Sequence, residues 1–138
     1  SIPFTPVNND VLDGTAPASG ASISQVWKWV NDEDTRGHYE IDQLTQPLQG
    51  YWVYATSSGT MTITGYPVTS TLRTLYKGWN MVGPATPTPA SNAQHSLFAY
   101  YWDTETASYG VIPKDSNLLP QLGYWVYCNT NLVIDLGQ

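Results

Sequence analysis

Basic residues are scarce in this chain: five Lys plus Arg stand against eleven Asp plus Glu, a formal net charge of −6, and no basic run occurs. Binding to nucleic acid or an anionic lipid surface needs clustered cations, so neither partner is expected. Cysteine is almost absent. Cys128 stands alone, which excludes an internal disulfide, a thiolate zinc cluster and a redox pair. No run approaches the roughly 20 apolar residues that a membrane-spanning helix requires, so no membrane insertion is expected. Helical periodicity is missing as well, since no window of about a dozen residues repeats its apolar positions every 3.6 residues. Charge of either sign is low, 12% of residues against roughly 25% in an average soluble domain, while Thr, Ser, Asn and Gln are plentiful. Such a neutral polar surface suits an extracellular or cell-surface protein. Ser1 is not an initiator methionine, which agrees with removal of a targeting segment.

What the chain does have is aromatic side chains: ten Tyr and six Trp against two Phe. Most of its large side chains therefore carry a polar handle and suit half-exposed sheet faces. They recur in order. Pro47-Leu48-Gln49-Gly50-Tyr51-Trp52-Val53-Tyr54 returns as Pro120-Gln121-Leu122-Gly123-Tyr124-Trp125-Val126-Tyr127, an offset of 73 (120 minus 47). The same offset places Met61 on Ile134, Ile63 on Leu136, Trp27 on Tyr100 and Trp29 on Trp102. One spacing thus aligns three strand candidates in the phase of a period-two strand, as a structural repeat does. Upstream, Pro3-Phe4-Thr5-Pro6 matches Pro84-Ala85-Thr86-Pro87 at an offset of 81 (84 minus 3), so the intervening loop is shorter in the second copy. Residues 8–24 fill that loop in the first copy and read as a surface excursion with room for a short helical turn.

Alternation bounded by Pro, Gly and Asn predicts strands at 25–30, 38–41, 50–55 and 60–64 in the first copy. It predicts a linker strand at 72–76 and strands at 79–82, 98–103, 109–112, 123–129 and 132–136 in the second. The fold class is all-β: two tandem repeats of about 70 residues, 1–65 and 66–138, each too small to cover its own sheet. They are expected to pack about a pseudo-twofold axis as a sandwich or barrel-like single domain.

The segment Gly78-Trp79-Asn80-Met81-Val82-Gly83-Pro84, the pair Trp27 and Trp29, and both Gly-Tyr-Trp-Val segments resemble a repeat common in bacterial and archaeal secreted and cell-surface proteins. Its units open with a Gly-Trp-Asn strand and close with a Gly-Tyr-Trp-Val hairpin. The resemblance covers 1–64 as one unit and 71–136 as another, and it implies an extracellular β module without catalysis. The first copy departs from it. Ser1 aligns with Val82, so the first copy as given shows no Gly-Trp-Asn, and loss of the counterpart of Trp79 would leave a hole and an unpaired edge near Ser1, Ile2, Pro3 and Phe4. Three origins fit: a trimmed chain, a proteolytic product whose upstream strand stays as a separate chain, or a subunit completed by a neighbour's strand.

Residues able to carry chemistry are few. His38 and His95 occupy unrelated positions in the two copies and sit in no nucleophile or metal-ligand motif, so no catalytic site and no cofactor are expected. Asp32 and Asp34, in the run Asp32-Glu33-Asp34 before Gly37, offer oxygen ligands to calcium, but their spacing lacks the alternation of a wrapping loop and reads first as a solvated turn. Asp10 and Asp13 are read the same way. Cys128 replaces Ala55 of the other copy and is expected to pack as a small apolar side chain. Alternation sends Trp52 and Tyr54 to one face, as it does Trp125 with Tyr127, Trp27 with Trp29, and Tyr100 with Trp102. These eight form either a packed layer or an exposed platform that would stack on sugar rings or anchor a protein. Two functions compete. One is a structural or filament module that joins a protein partner or identical subunits through a sheet edge. The other is a carbohydrate-binding or adhesive module, which needs coplanar exposed rings in a shallow groove.

Overall fold

Side chains that alternate between apolar and polar force a strand to turn one face inward, and almost every alternating segment of this chain is extended. The structure is a computed structural model that describes residues 4–6, 23–35, 37–41, 46–57, 65–93 and 98–137. Its elements run β1 (Phe4–Pro6), β2 (Ile23–Val30), β3 (His38–Ile41), β4 (Tyr51–Ala55), β5 (Gly65–Pro67), β6 (Leu72–Leu75), β7 (Gly78–Val82), β8 (Thr88–Pro89), a single helical turn α1 (Ala90–Ala93), β9 (Phe98–Asp103), β10 (Ser108–Val111), β11 (Asn117–Leu118), β12 (Tyr124–Cys128) and β13 (Leu132–Asp135). The strand expected at 60–64 and the excursion at 8–24 lie outside the described residues, apart from the start of β2. The short elements β1, β8, β11 and α1 span too few residues to declare a period.

Among the described residues every pairing is antiparallel, and the sheets stay open rather than closing into the barrel that was one expectation. A three-stranded sheet has the order β3-β2-β4, and a four-stranded sheet the order β10-β9-β12-β7. Two-stranded ribbons β1-β5, β11-β8 and β13-β6 complete the set. In the first sheet Gln25, Val26, Trp27 and Lys28 face Tyr54, Val53, Trp52 and Tyr51. In the second, Phe98, Ala99, Tyr100 and Tyr101 face Tyr127, Val126, Trp125 and Tyr124. Each of these pairs is the other shifted by 73 positions. The β2-β3 hairpin sets Trp29 against Tyr39, and the β9-β10 hairpin sets Trp102 against Tyr109. Here the second partner shifts by only 70 (109 minus 39), because the turn at 31–37 is three residues longer than the one at 104–107.

Both turns are held by an aspartate. The Asp32 carboxylate accepts from the amides of Asp34 and Thr35, at 3.0 and 2.7 Å, and from the Thr35 hydroxyl at 2.8 Å. Asp103 accepts from the amides of Glu105 and Thr106 at 2.9 and 3.4 Å. Before β4 and β12 the chain makes a tight turn with Leu48 at φ 62° and Gln121 at φ 71°, the left-handed region that ordinarily favours glycine. What holds each turn is the tyrosine that follows it. The Tyr51 hydroxyl accepts from the Gln46 amide and the Tyr124 hydroxyl from the Leu119 amide, both at 2.7 Å.

Among the described residues the core lies mainly in the second half of the chain. Leu75, Val82, Ala90, Ala99, Ile112, Leu118, Tyr124, Val126, Cys128, Ile134 and Leu136 form one buried cluster, joined from the first half by Leu48. One face of the four-stranded sheet supplies Ala99, Val82, Tyr124, Val126 and Cys128, and the elements β6, β13, β11 and α1 cover it. Cys128 is therefore a core residue, and burial pushes its thiol up to about 11. The turn at 46–50 is tied to the second half by Gly83 N to the Leu48 carbonyl at 3.0 Å, and by Arg73, which donates to the Leu48 carbonyl and to Gln49 Oε1. Burial lowers the Arg73 guanidinium to about 10, with Tyr51 opposing the shift. It still carries its charge at neutral pH.

Candidate functional site

The opposite faces of the two larger sheets carry the aromatic side chains, and there the sheets meet. Alternation along β2, β3 and β4 puts Trp27, Trp29, Tyr39, Trp52 and Tyr54 on one face. Along β7, β9, β10 and β12 it puts Trp79, Tyr100, Trp102, Tyr109, Trp125 and Tyr127 on the other. Trp29 of β2 meets Trp125 of β12 with ring centroids 5.2 Å apart at 77°. Trp52 of β4 meets Trp102 of β9 at 5.5 Å and 71°. Within each sheet Trp29 packs on Tyr39 at 4.9 Å and 74°, and Trp102 on Tyr109 at 4.9 Å and 73°. Trp79 adds contacts to Tyr127 at 5.2 Å, Tyr100 at 5.9 Å and Trp125 at 6.2 Å. The rings meet edge to face or tilted, the arrangement their quadrupoles favour, and each such pair contributes about 0.5–1.5 kcal/mol beyond its buried area.

All eight aromatic residues singled out in the sequence thus lie on these facing surfaces. Trp27, Trp29, Trp52, Tyr100, Trp125 and Tyr127 are half-buried, Trp102 is 37% exposed and Tyr54 is 62% exposed. The ring contacts add Tyr39, Tyr109 and Trp79. The two tyrosines escape a search at a single offset because the shorter second turn shifts them out of phase. Trp79 reads in the sequence as a core-strand residue and not as part of an aromatic site.

Between the rings lie two clefts. The first, of about 460 Å³, is lined by Trp29, Tyr39, Trp79, Tyr100, Tyr109 and Trp125. The second, of about 440 Å³, is lined by Trp27, Tyr39, Trp52, Trp102 and Tyr109. Three of the indole N–H groups around these clefts fare differently. Trp29 Nε1 donates to the Trp79 carbonyl at 2.7 Å, tying β2 to β7. Trp52 donates to the Tyr39 hydroxyl, whose titration burial nevertheless raises. Trp125 Nε1 is buried and meets no acceptor among the described residues. A buried unpaired donor costs about 1–3 kcal/mol, so this one marks a place where an acceptor would be welcome.

The remaining candidates carry little chemistry. Asp32 is exposed and spends its carboxylate on its own turn; the Thr35 hydroxyl and amide hold it below the usual carboxylate range. Asp34 is exposed, and no group of three or more His, Cys, Asp or Glu that could hold a metal ion occurs among the described residues. His38 is exposed and lies 2.9 Å from Glu40, which also pairs with Lys28 at 3.6 Å. Asp10, Asp13 and His95 lie outside the described residues. So do Ser1, Ile2 and Pro3; Phe4 opens β1 and faces Pro67 of β5. Among the described residues no helix is long and apolar enough to cross a membrane. Comparison with family models, curated proteins and solved structures finds no match.

Proposed function

We propose that the chain is a non-enzymatic structural and assembly module of an extracellular or cell-surface protein or filament. In this reading 1–65 and 66–138 are two copies of one unit, packed about a pseudo-twofold axis in a single domain, and the module joins a protein partner or identical subunits through a sheet edge. The observation that carries the reading is the reciprocity of the aromatic layer. Exchanging the copies converts the Trp29–Trp125 contact into Trp102–Trp52, and the two geometries agree, 5.2 Å at 77° against 5.5 Å at 71°. An isologous contact has this signature: residue i meets j, and j meets i. Gly50 and Gly123, which correspond in the repeat, approach so closely that a Cβ on Gly123 would lie 3.6 Å from Gly50 Cα. Rings spent on one another in edge-to-face pairs serve cohesion, and the low charge of the chain suits a solvent-facing extracellular surface.

A second reading is favoured by one observation, the all-aromatic lining of the first cleft. A carbohydrate or adhesive ligand would place its C–H face on those rings. Light scattering with intact-mass analysis of the native particle separates the two. The assembly reading expects a multimer or a second chain in the particle. A lone monomer whose Trp fluorescence responds to simple glycans would sink it and leave the second reading standing.

A further inference from the structure

We infer that the first aromatic cleft binds a small soluble organic cation whose charge sits on a quaternary ammonium group, for which choline and tetramethylammonium are the simplest probes. The cleft is the one on which the carbohydrate reading rests, with a different ligand in it, and the inference does not depend on the assembly reading.

Ring orientation selects the shape of the ligand. Trp29 stands at 74° to Tyr39 and at 77° to Trp125, and Tyr39 stands at 89° to Trp125, with centroids 4.9, 5.2 and 6.2 Å apart. Three planes so close to mutually perpendicular bound a corner and offer no platform. Trp79, at 89° to Trp125 and 6.2 Å from it, adds a further wall. A sugar ring needs a flat face to lie on, whereas a rounded group seated in a corner meets several rings at once. The volume of about 460 Å³ falls in the range of small-molecule sites. Solvent reaches the lining, since Tyr39, Trp79 and Tyr109 are 46%, 39% and 51% exposed.

The lining selects the charge. Among the described residues only aromatic side chains line the cleft, with no Lys, Arg, His, Asp or Glu. The face of an aromatic ring is the negative part of its quadrupole, so a cation within about 6 Å of several centroids is drawn to all of them. The net charge of −6 on the chain adds to the attraction. Much of the hydrogen-bonding capacity around the cleft is already spent. Trp29 Nε1 donates to the Trp79 carbonyl at 2.7 Å, Trp125 Nε1 is buried, and the Tyr39 hydroxyl accepts from Trp52. A sugar or a primary ammonium would leave behind hydrogen bonds to water that this lining replaces poorly. A quaternary ammonium has no N–H to satisfy and spreads its charge over methyl groups, so it gives up the least on entering. No cation lines the cleft to take a phosphate, which favours a small soluble molecule over the headgroup of a phospholipid.

The test titrates the intact chain with choline and with tetramethylammonium, following Trp fluorescence and the indole N–H signals in NMR spectra. Both cations should bind saturably, one per chain. The decisive comparison is with 3,3-dimethylbutan-1-ol, the neutral carbon isostere of choline, which should bind at least about tenfold more weakly because it lacks the charge. That comparison needs no variant. Trp79→Leu should weaken choline binding at least about tenfold, and Trp79→Phe, which keeps a ring face, should retain part of it. The Trp79 carbonyl that holds Trp29 is main-chain and survives both changes. Equal binding of the isostere overturns the inference, since the cleft would then be a plain apolar pocket. Binding of glucose without binding of either cation overturns it and leaves the carbohydrate reading standing. Retention of the chain on phosphatidylcholine vesicles overturns the assignment to a small soluble molecule. Absence of any binding overturns it and leaves the assembly reading untouched, because the size of the native particle decides that separately.

Discussion

Sheets β3-β2-β4 and β10-β9-β12-β7 share a strand register and an aromatic face, yet among the described residues only the second backs onto a substantial core. Behind β12, the residues Tyr124, Val126 and Cys128 meet Leu75, Leu118, Ile134 and Leu136 in the buried cluster. Behind β4, Val53 and Ala55 are exposed, and among the described residues of the first half only Leu48 joins that cluster. Hydrogen-bond register is local to a pair of strands, whereas burial depends on what is laid over them. Two nearly identical segments can therefore contribute very different amounts to stability.

Paired substitutions sharpen that contrast, and the largest effect is expected in the aromatic layer. Trp125 packs on Trp29, Tyr39 and Trp79, whereas Trp52 packs on Trp102. Trp125→Ala should cost about 3–5 kcal/mol in urea unfolding and Trp52→Ala about half as much; equal losses would mean that the layer is energetically symmetric. Val126→Ala should cost about 2 kcal/mol, from lost transfer energy and the cavity left behind. At the exposed Val53 the same change should fall within about 0.5 kcal/mol. A comparable loss at both would show that β4 is covered in solution.

Chemical modification probes the same asymmetry. The Cys128 thiol, buried and pushed up to about 11, should resist a thiol reagent at neutral pH and react only at the rate at which the second half opens. An Ala55→Cys variant should react at once. Because the folded state favours the protonated thiol, stability should fall as pH rises from the ordinary value of 9.0 toward 11, and Cys128→Ala should flatten that alkaline limb. The smallest effect is shared by both sheets. Asp32 and Asp103 titrate below their ordinary value because amides and hydroxyls of their turns donate to them. Their contribution is present above pH 3.8 and is lost as pH falls through the lowered folded values. Asp32→Asn and Asp103→Asn, which keep an acceptor in each turn, should each make the acid limb of a stability profile shallower. An effect at one turn alone would distinguish the hairpins.

Much of this was legible in the residues. The offset of 73 foresaw β4 and β12 as matching strands, and period-two alternation placed β3 at its observed limits and β2, β7, β9, β10 and β13 within two residues. It also put all eight singled-out aromatics on shared faces. Tyr39 and Tyr109 were hidden by three extra residues in one turn. Strands β8 and β11 consist of two residues each, too short for any periodicity, and exist because they pair with each other over the core. Nothing local distinguishes Val53 from Val126, since both follow Gly-Tyr-Trp and precede Tyr.

By itself the sequence determined the strand class, the recurrence of one aromatic segment and the face on which each ring lies, because alternation along an extended backbone is set by neighbours in the chain. Only the tertiary structure decided that the rings meet edge to face across two sheets, that Cys128 is buried while Ala55 is not, and that β12 lies between β9 and β7. Those outcomes depend on contacts between residues far apart in the chain, where ring orientation and the cover over a sheet are properties of the assembled layers.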